Sequence, residues 1–266
     1  MSYRKKHINP KIRGLKKRKK FFQSPIFWWL LFVAMLIGGA VYIILFMPTF
    51  QVEKIIISGN EKIKTEDIKN LVAKNIKKEV FGIFSNSIFM VNPSLVTKNM
   101  LAALPSVESM RVQKSLPQTI NIIIKERTPY ALFCPKPDNC FLIDRQGVVF
   151  ESVQEIPQKI MIITPTSGDD IFYLGQQVVD KTTMDSVVKI QENLKNNFQL
   201  DVKEVLNSNP LVITTSENWQ IYFDANSSTD LQITKMNALL QSEISANGRK
   251  NLQYIYLQYK DKAYYK

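Results

Sequence analysis

Residues 26–46, IFWWLLFVAMLIGGAVYIILF, run for 21 positions without a charged side chain. No other feature restricts this chain as strongly. About 20 apolar residues in a helix cross the ~30 Å hydrocarbon core of a bilayer, and a helix satisfies all its backbone polar groups within the one segment. Trp28 and Trp29 stand at the start of the run, where indole rings favour the headgroup layer. The expected anchor is a single helix over 26–47, with Ile26, Trp28, Trp29, Leu36 and Phe46 as anchoring residues. A signal peptide cleaved near Gly38-Gly39-Ala40 is the competing reading. Apolar residues continue to position 46, beyond the roughly 7–15 residues of a signal core, so length favours an uncleaved anchor.

The 266-residue chain has a formal net charge of +12. Residues 1–50 hold ten of its 35 bases and no acid, leaving 25 bases against 23 acids in the remainder. The positive charge therefore belongs to the tail, residues 1–25, and does not describe a nucleic-acid groove. Lys16, Lys17, Arg18, Lys19 and Lys20 lie nearest the span and are expected to set its orientation by the positive-inside rule. The N-terminus is then cytoplasmic, and residues from about 48 onward lie outside.

One histidine, His7, and two cysteines, Cys134 and Cys140, leave no material for His/Cys zinc sites or a histidine-based triad. Cys134-Pro-Lys-Pro-Asp-Asn-Cys140 places the cysteines about a turn. In an oxidising compartment they would close a small hairpin loop as a disulfide, with two free thiols as the alternative.

Extended structure is expected directly after Pro48-Thr49, with a strand over 51–57 and a turn at Ser58-Gly59-Asn60. Thr65 is placed to cap a helix carrying Ile68, Leu71, Val72 and Ile76. Asn92-Pro93 opens a second helix carrying Leu95, Val96, Met100, Leu101 and Leu104, which Pro105 stops. Strands over 107–113 and 118–125 complete the order β-α-α-β-β. Residues 128–266 read as a second, mostly antiparallel β domain, with strands near 130–134, 141–144, 148–150, 159–163, 203–207, 211–215, 219–223, 253–257 and 262–265. Two helices interrupt them. One covers about 181–196; the other opens at a capping box, Thr229-Asp-Leu-Gln232, and stops at Asn247-Gly248.

The order β-α-α-β-β is that of the POTRA module, and the whole chain resembles the FtsQ/DivIB family of bacterial division proteins. The resemblance rests on the basic tail and single span, and on Val52-Glu-Lys-Ile-Ile-Ile-Ser-Gly59-Asn60. It continues in Leu104-Pro105-Ser-Val107, Ser115-Leu116-Pro117 and Glu126-Arg127-Thr128-Pro129-Tyr130-Ala131. The stretch Phe141-Leu-Ile143-Asp144-Arg-Gln-Gly147-Val-Val-Phe150 is similar to the family's I-D-x-x-G-x-V-F hairpin. It implies an α+β ectodomain behind one transmembrane helix, with a POTRA domain over 50–127 and an FtsQ-type β domain over 128–266. The implied function is a non-enzymatic scaffold in the cytoplasmic membrane at the division septum. Its ectodomain, periplasmic or extracellular, would recruit partners of the FtsB/DivIC and FtsL type. The family's docking surface lies on its final strands, which puts Tyr254, Tyr256, Tyr259, Ala263, Tyr264 and Tyr265 at the expected interface. The family's Y-I-D-L-R is replaced here by Tyr254-Ile-Tyr-Leu-Gln258, without the acid or the arginine.

A physical argument runs beside this. The last candidate strand ends the sequence and is expected at a sheet edge, where open backbone groups pair with an incoming strand. Tyrosine suits interfaces; one of Tyr254 and Tyr256 is expected to pack on the core instead. Two other function classes compete, a POTRA-containing envelope assembly or secretion component and a membrane-anchored cell-wall enzyme.

Catalytic motifs are sparse. Ser186-Val-Val-Lys189 fits S-x-x-K, but so does Ser2-Tyr-Arg-Lys5 in the tail, and Lys181-Thr182-Thr183 lacks the glycine of the companion K-T-G. Gly168-Asp169-Asp170 reads as a solvated turn, and Glu126-Arg127 as a structural ion pair bridging the two domains. No catalytic residue, metal, cofactor, small-molecule substrate or nucleic acid is expected.

Overall fold

The computed structural model describes residues 24–80, 82–157, 159–166, 171–259 and 262–266. Lys16, Lys17, Arg18, Lys19 and Lys20 lie outside the described residues, as do Gly168, Asp169 and Asp170.

Helix α1 (Pro25–Phe46) has 22 residues, with proline in its first turn and no buried residue. At 1.5 Å per residue it is about 33 Å long. Among the described residues it is the one helix long and apolar enough to cross a membrane. A helix end leaves its last carbonyls without intrahelical donors. Here the next domain supplies them. Ile44 O accepts from Ser87 Oγ at 2.7 Å, and Leu45 O accepts from Ser85 Oγ at 2.5 Å and Gln51 Nε2 at 2.8 Å. Gln51 Oε1 in turn accepts from the Asn86 amide at 2.8 Å. The span is tied by side chains to the domain next to it in the chain.

That domain is built on a three-stranded sheet in the order β1 (Lys54–Ser58), β5 (Thr119–Glu126), β4 (Val107–Ser115). The β1–β5 pair is parallel and the β4–β5 pair antiparallel. Ile120, Ile122 and Ile124 recur at the two-residue period of a strand, so all three face one side. They meet Ile68 and Val72 of α2 (Thr65–Ile76) and Val96 and Met100 of α3 (Pro93–Ala103) in one buried cluster. The Asn92 side chain caps α3 by accepting from the Leu95 amide at 3.2 Å. Thr65 does not cap α2. Lys64 holds the cap position without a side-chain bond, and Thr65 Oγ1 accepts from Asn60 Nδ2 at 3.0 Å.

A hairpin not foreseen in the sequence, β2 (Lys78–Val80) with β3 (Ile83–Ser85), lies between α2 and α3. Its strands are three residues long, too short for a period to show. The observed order is therefore β-α-β-β-α-β-β.

Gly59 adopts φ +84°, and a Cβ there would stand 2.1 Å from the Ile124 carbonyl oxygen, so glycine is required. The loop after it is held by Glu126. This carboxylate accepts from the amides of Glu61 at 2.8 Å, Lys62 at 3.0 and 3.1 Å, and Ile63 at 3.0 Å.

The second sheet has nine strands: β6 (Ala131–Lys136), β7 (Asn139–Ile143), β8 (Val149–Val153), β9 (Met161–Pro165), β10 (Val202–Asn207), β11 (Leu211–Thr215), β12 (Gln220–Phe223), β13 (Tyr254–Tyr256) and β14 (Tyr264–Tyr265). Their order is β14-β13-β12-β11-β10-β9-β6-β7-β8. Five of the eight pairings are antiparallel; β6–β9, β9–β10 and β12–β13 are parallel. Helix α4 (Lys181–Phe198) connects β9 to β10, and α5 (Thr229–Ser242) lies between β12 and β13. Parallel neighbours require such crossovers. The helices cover one face, where Phe133, Ile163, Ile213, Trp219, Met184 and Met236 are buried together. A smaller cluster of Leu132, Leu142 and Phe150 on the other face includes Cys134 and Cys140, which are joined as a disulfide.

Ser228, one residue before the expected Thr229, caps α5 by accepting from Leu231 N. Gln232 is not the reciprocal partner of a capping box. It is buried and bonds both the amide and the carbonyl of Asp224, fastening α5 to the end of β12.

Glu126 and Arg127 do not pair with each other, contrary to the reading of them as one ion pair. Arg127 Nη1 reaches across to Asp144 Oδ2 on the second sheet. Its Nε donates to Pro105 O at 3.1 Å and its amide to Ser106 O at 2.8 Å. The other oxygen of Asp144 accepts from the amides of Gln146 at 2.9 Å and Val148 at 3.0 Å. The two side chains are 14% and 6% exposed. Breaking a nearly dry pair from one side strands the other charge. Asp144→Ala should cost about 3–5 kcal/mol in urea unfolding; replacing both Arg127 and Asp144 with apolar residues should cost less than the single change.

Glu126 gives a second prediction. Burial alone would push its carboxyl up, but the three amides outweigh that and hold it below its ordinary value. A carboxyl lowered on folding stabilises the fold above its unfolded value, and that contribution fades as pH falls through the folded value. Glu126→Gln should cost about 1 kcal/mol at pH 7, at the modest end because the group is near the surface. The gap between wild type and variant should close below about pH 4. Urea titrations at pH 7 and pH 3 measure both.

Candidate functional site

The expected interface residues gather at one end of the nine-stranded sheet. In β13 the period of two sends Ile255, fully buried, into the core between Tyr254 and Tyr256. Both tyrosines therefore lie on the opposite face, half-buried, and neither fills the core as one of them was expected to. They are covered by each other, with ring centroids 4.7 Å apart, and Tyr256 stands 4.4 Å from Tyr222 of the adjacent β12. Loss of hydration inside this stack, then the neighbouring Tyr222 and Tyr254 phenols, pushes the Tyr256 phenol up. It stays a neutral donor and acceptor. Tyr259 and Tyr264 form a T-shaped pair at 5.4 Å and are exposed with Tyr265, whereas Ala263 packs against the core.

Strand β14 is the terminal strand of the sheet among the described residues, pairing antiparallel with β13 in the register Ile255↔Tyr265 and Tyr256↔Tyr264. Lys266 N donates to Tyr254 O at 3.2 Å, and Tyr254 N donates to Lys266 O at 3.4 Å. In an antiparallel ladder such doubly bonded pairs alternate with open ones. Tyr264 therefore commits its backbone groups to β13, while those of Tyr265 and Ala263 point away from the sheet. The edge thus offers backbone donors and acceptors with exposed aromatic rings around them, and peptides that add a strand use both. Where the family pattern carries an acid, Tyr256 sits in the stack; where it carries an arginine, Gln258 lies half-buried just after β13.

The anchor residues Ile26, Trp28, Trp29 and Leu36 are exposed along α1, and Phe46 is half-buried with its ring 5.3 Å from Tyr42. The Ser186–Lys189 pair is engaged elsewhere. Ser186 Oγ bonds Thr182 O at 3.0 Å and Thr229 Oγ1 at 2.8 Å, and Lys189 Nζ meets Asp230 at 2.9 Å. The two side chains link α4 to α5. Among the described residues no cluster of three His, Cys, Asp or Glu side chains has the geometry to hold a metal. A groove of about 950 Å³ opens between Tyr130, Met161, Lys195 and Lys203. Burial at its wall pushes the Tyr130 phenol up to about 12, against the opposing pull of Arg145.

Two structural contacts are not legible in the sequence. Arg127 carried a signal, an arginine at the domain boundary, but its partner Asp144 stood within a turn motif. Ser85, Ser87 and Gln51, which hold the end of α1, carried none, because small polar residues beside an unrecognised hairpin look like ordinary loop.

Comparison with known proteins places these features. Residues 50–127 match the POTRA domain, FtsQ-type. The chain is 32% identical over 149 residues to the cell division protein DivIB of Clostridium botulinum strain Hall, covering 56% of this chain and 52% of that protein. It is 42% identical over 84 residues to the cell division protein FtsQ of Novosphingobium aromaticivorans, covering 32% and 24%. With DivIB of Clostridium acetobutylicum it shares 31% over 105 residues, covering 40% and 38%. The chain thus spans about half the length, or less, of the curated relatives it matches. Residues 50–127 are thus an FtsQ-type POTRA domain behind a single apolar helix, in a chain that is similar to the cell division proteins DivIB and FtsQ.

Proposed function

We propose that the chain is a non-enzymatic, single-pass scaffold of the bacterial division machinery. Its tail lies in the cytoplasm, α1 crosses the cytoplasmic membrane, and the ectodomain, with its units over 50–127 and 128–266, recruits other division proteins to the septum. Partners of the FtsB/DivIC and FtsL type dock on the β14 edge and the tyrosines about it. The observation that carries this reading is the outer face of β14, where Tyr265 and Ala263 present backbone groups that β13 does not use. The division role is supported by the DivIB and FtsQ relatives. The position of α1 ahead of both sheets supports the anchor.

Orientation is read from the basic tail. A cysteine introduced in the tail should label only after lysis, and one at Lys62 should label in intact spheroplasts. The opposite pattern, or a mature N-terminus near Val41, would sink the anchor.

The docking edge has a sharper test. Proline removes a donor and is excluded from a paired ladder. Tyr265→Pro should abolish binding of the organism's own partner while the ectodomain stays folded by circular dichroism, since the lost donor points outward. Tyr264→Pro should also abolish it, but at some cost to the β13–β14 pair. Tyr259→Ala and Tyr264→Ala should each weaken binding by about 1–2 kcal/mol in calorimetry. Unchanged binding in both proline variants would move the site to the POTRA unit.

A further inference from the structure

We propose that the β2–β3 hairpin is a second membrane contact, seated in the outer headgroup layer beside the end of the span. The inference rests on reading α1 as an uncleaved span. Depth is the first observation. Ser85, the last residue of β3, bonds Leu45 O in the final turn of α1, and Ser87 bonds Ile44 O one residue deeper. Wherever α1 leaves the hydrocarbon, the hairpin is at that level.

Its surface is the second observation. Ile83 is 54% exposed and Phe84 62% exposed. As neighbours in one strand they point to opposite faces of the ribbon. A two-stranded ribbon with apolar side chains on both faces is marginal in water and needs cover. A protein partner would shield one face; the headgroup–acyl boundary surrounds both. Phe89, 48% exposed, lies 5.4 Å from Phe50 on the segment joining α1 to β1 and extends the apolar patch. Charge is the third. Lys77 Nζ stands 4.8 Å from the centre of the Phe84 ring, and Lys78 opens β2. An aromatic ring with one ammonium over its face and a second lysine next in the chain suits a boundary with acyl chains below and anionic phosphates above.

The test uses the full chain reconstituted in phosphatidylethanolamine–phosphatidylglycerol vesicles without any partner protein. Cys134 and Cys140 are disulfide-bonded, so a single added cysteine takes an environment-sensitive fluorophore selectively. Three positions are labelled separately: Ile83→Cys in the hairpin, Leu36→Cys in the span and Ile156→Cys, exposed on the second unit. The Ile83 label should emit at shorter wavelength and be quenched by lipids brominated near the glycerol; the Leu36 label should be quenched by deeply brominated lipids, and the Ile156 label by neither. Adding Lys77→Glu and Phe84→Asp to the Ile83→Cys chain should abolish that quenching. If the Ile83 label behaves like the Ile156 label while the Leu36 label is quenched, the hairpin proposal is overturned and the anchor stands. If the Leu36 label is also unquenched, the anchor reading falls and takes the proposal with it. Protection of the Ile83 label only after partner proteins are added would reassign the hairpin to a protein interface, and quenching unchanged by the two substitutions would also overturn it.

Discussion

A mostly shielded guanidinium between two sheets joins the two parts of the ectodomain. Arg127 directly follows the central strand of the first sheet and holds three things at once: Pro105 just after α3, Ser106 beside it, and Asp144 just after β7 of the second sheet. Asp144 is itself committed to two amides of its own turn, so it cannot move toward the arginine without breaking them. Each partner is therefore presented to the other by backbone already fixed. That preorganisation lets a nearly dry ion pair act as a joint despite the cost of taking two charges out of water.

The site at the far end of the sheet depends on the joint only through geometry. Its exposed surface sets the Tyr259, Tyr264 and Tyr265 rings beside Lys262 and Lys266. If a strand adds at this edge, its affinity comes through backbone bonds that any sequence can make, and the tyrosine stack is the feature that could discriminate. Where the family pattern carries an acid and an arginine, this chain has Tyr256 and Gln258.

The legible parts of the fold were those with strong periodic or capping signals. Ile120, Ile122 and Ile124 spell a strand by alternation, Asn92-Pro93 spells a helix start, and the 21-residue apolar run spells a helix long and apolar enough to cross a membrane. The failures have two causes. Thr65 and Thr229 are displaced by one residue from the true cap, Lys64 for α2 and Ser228 for α5, an offset that cap composition does not resolve. Glu126 and Arg127 bond the loop at Glu61 and Asp144, 65 and 17 residues away, and side-chain hydrogen bonds at such range leave no periodic trace. At the β14 edge, composition points to the tyrosines, but only the ladder register separates Tyr265, with backbone groups turned outward, from Tyr264, with backbone groups turned inward.

The bonds from Gln51, Ser85 and Ser87 to the last turn of α1 also carry torque. A span joined to its domain by a free linker can spin about its axis without turning that domain. Here three side chains grip two successive carbonyls, which point in different directions around the helix, so the helix and the first sheet rotate as one. The Arg127 joint passes that rotation to the second sheet. If another helix in the bilayer packed on one face of α1, it would thereby choose the compass bearing of β14 around the membrane normal.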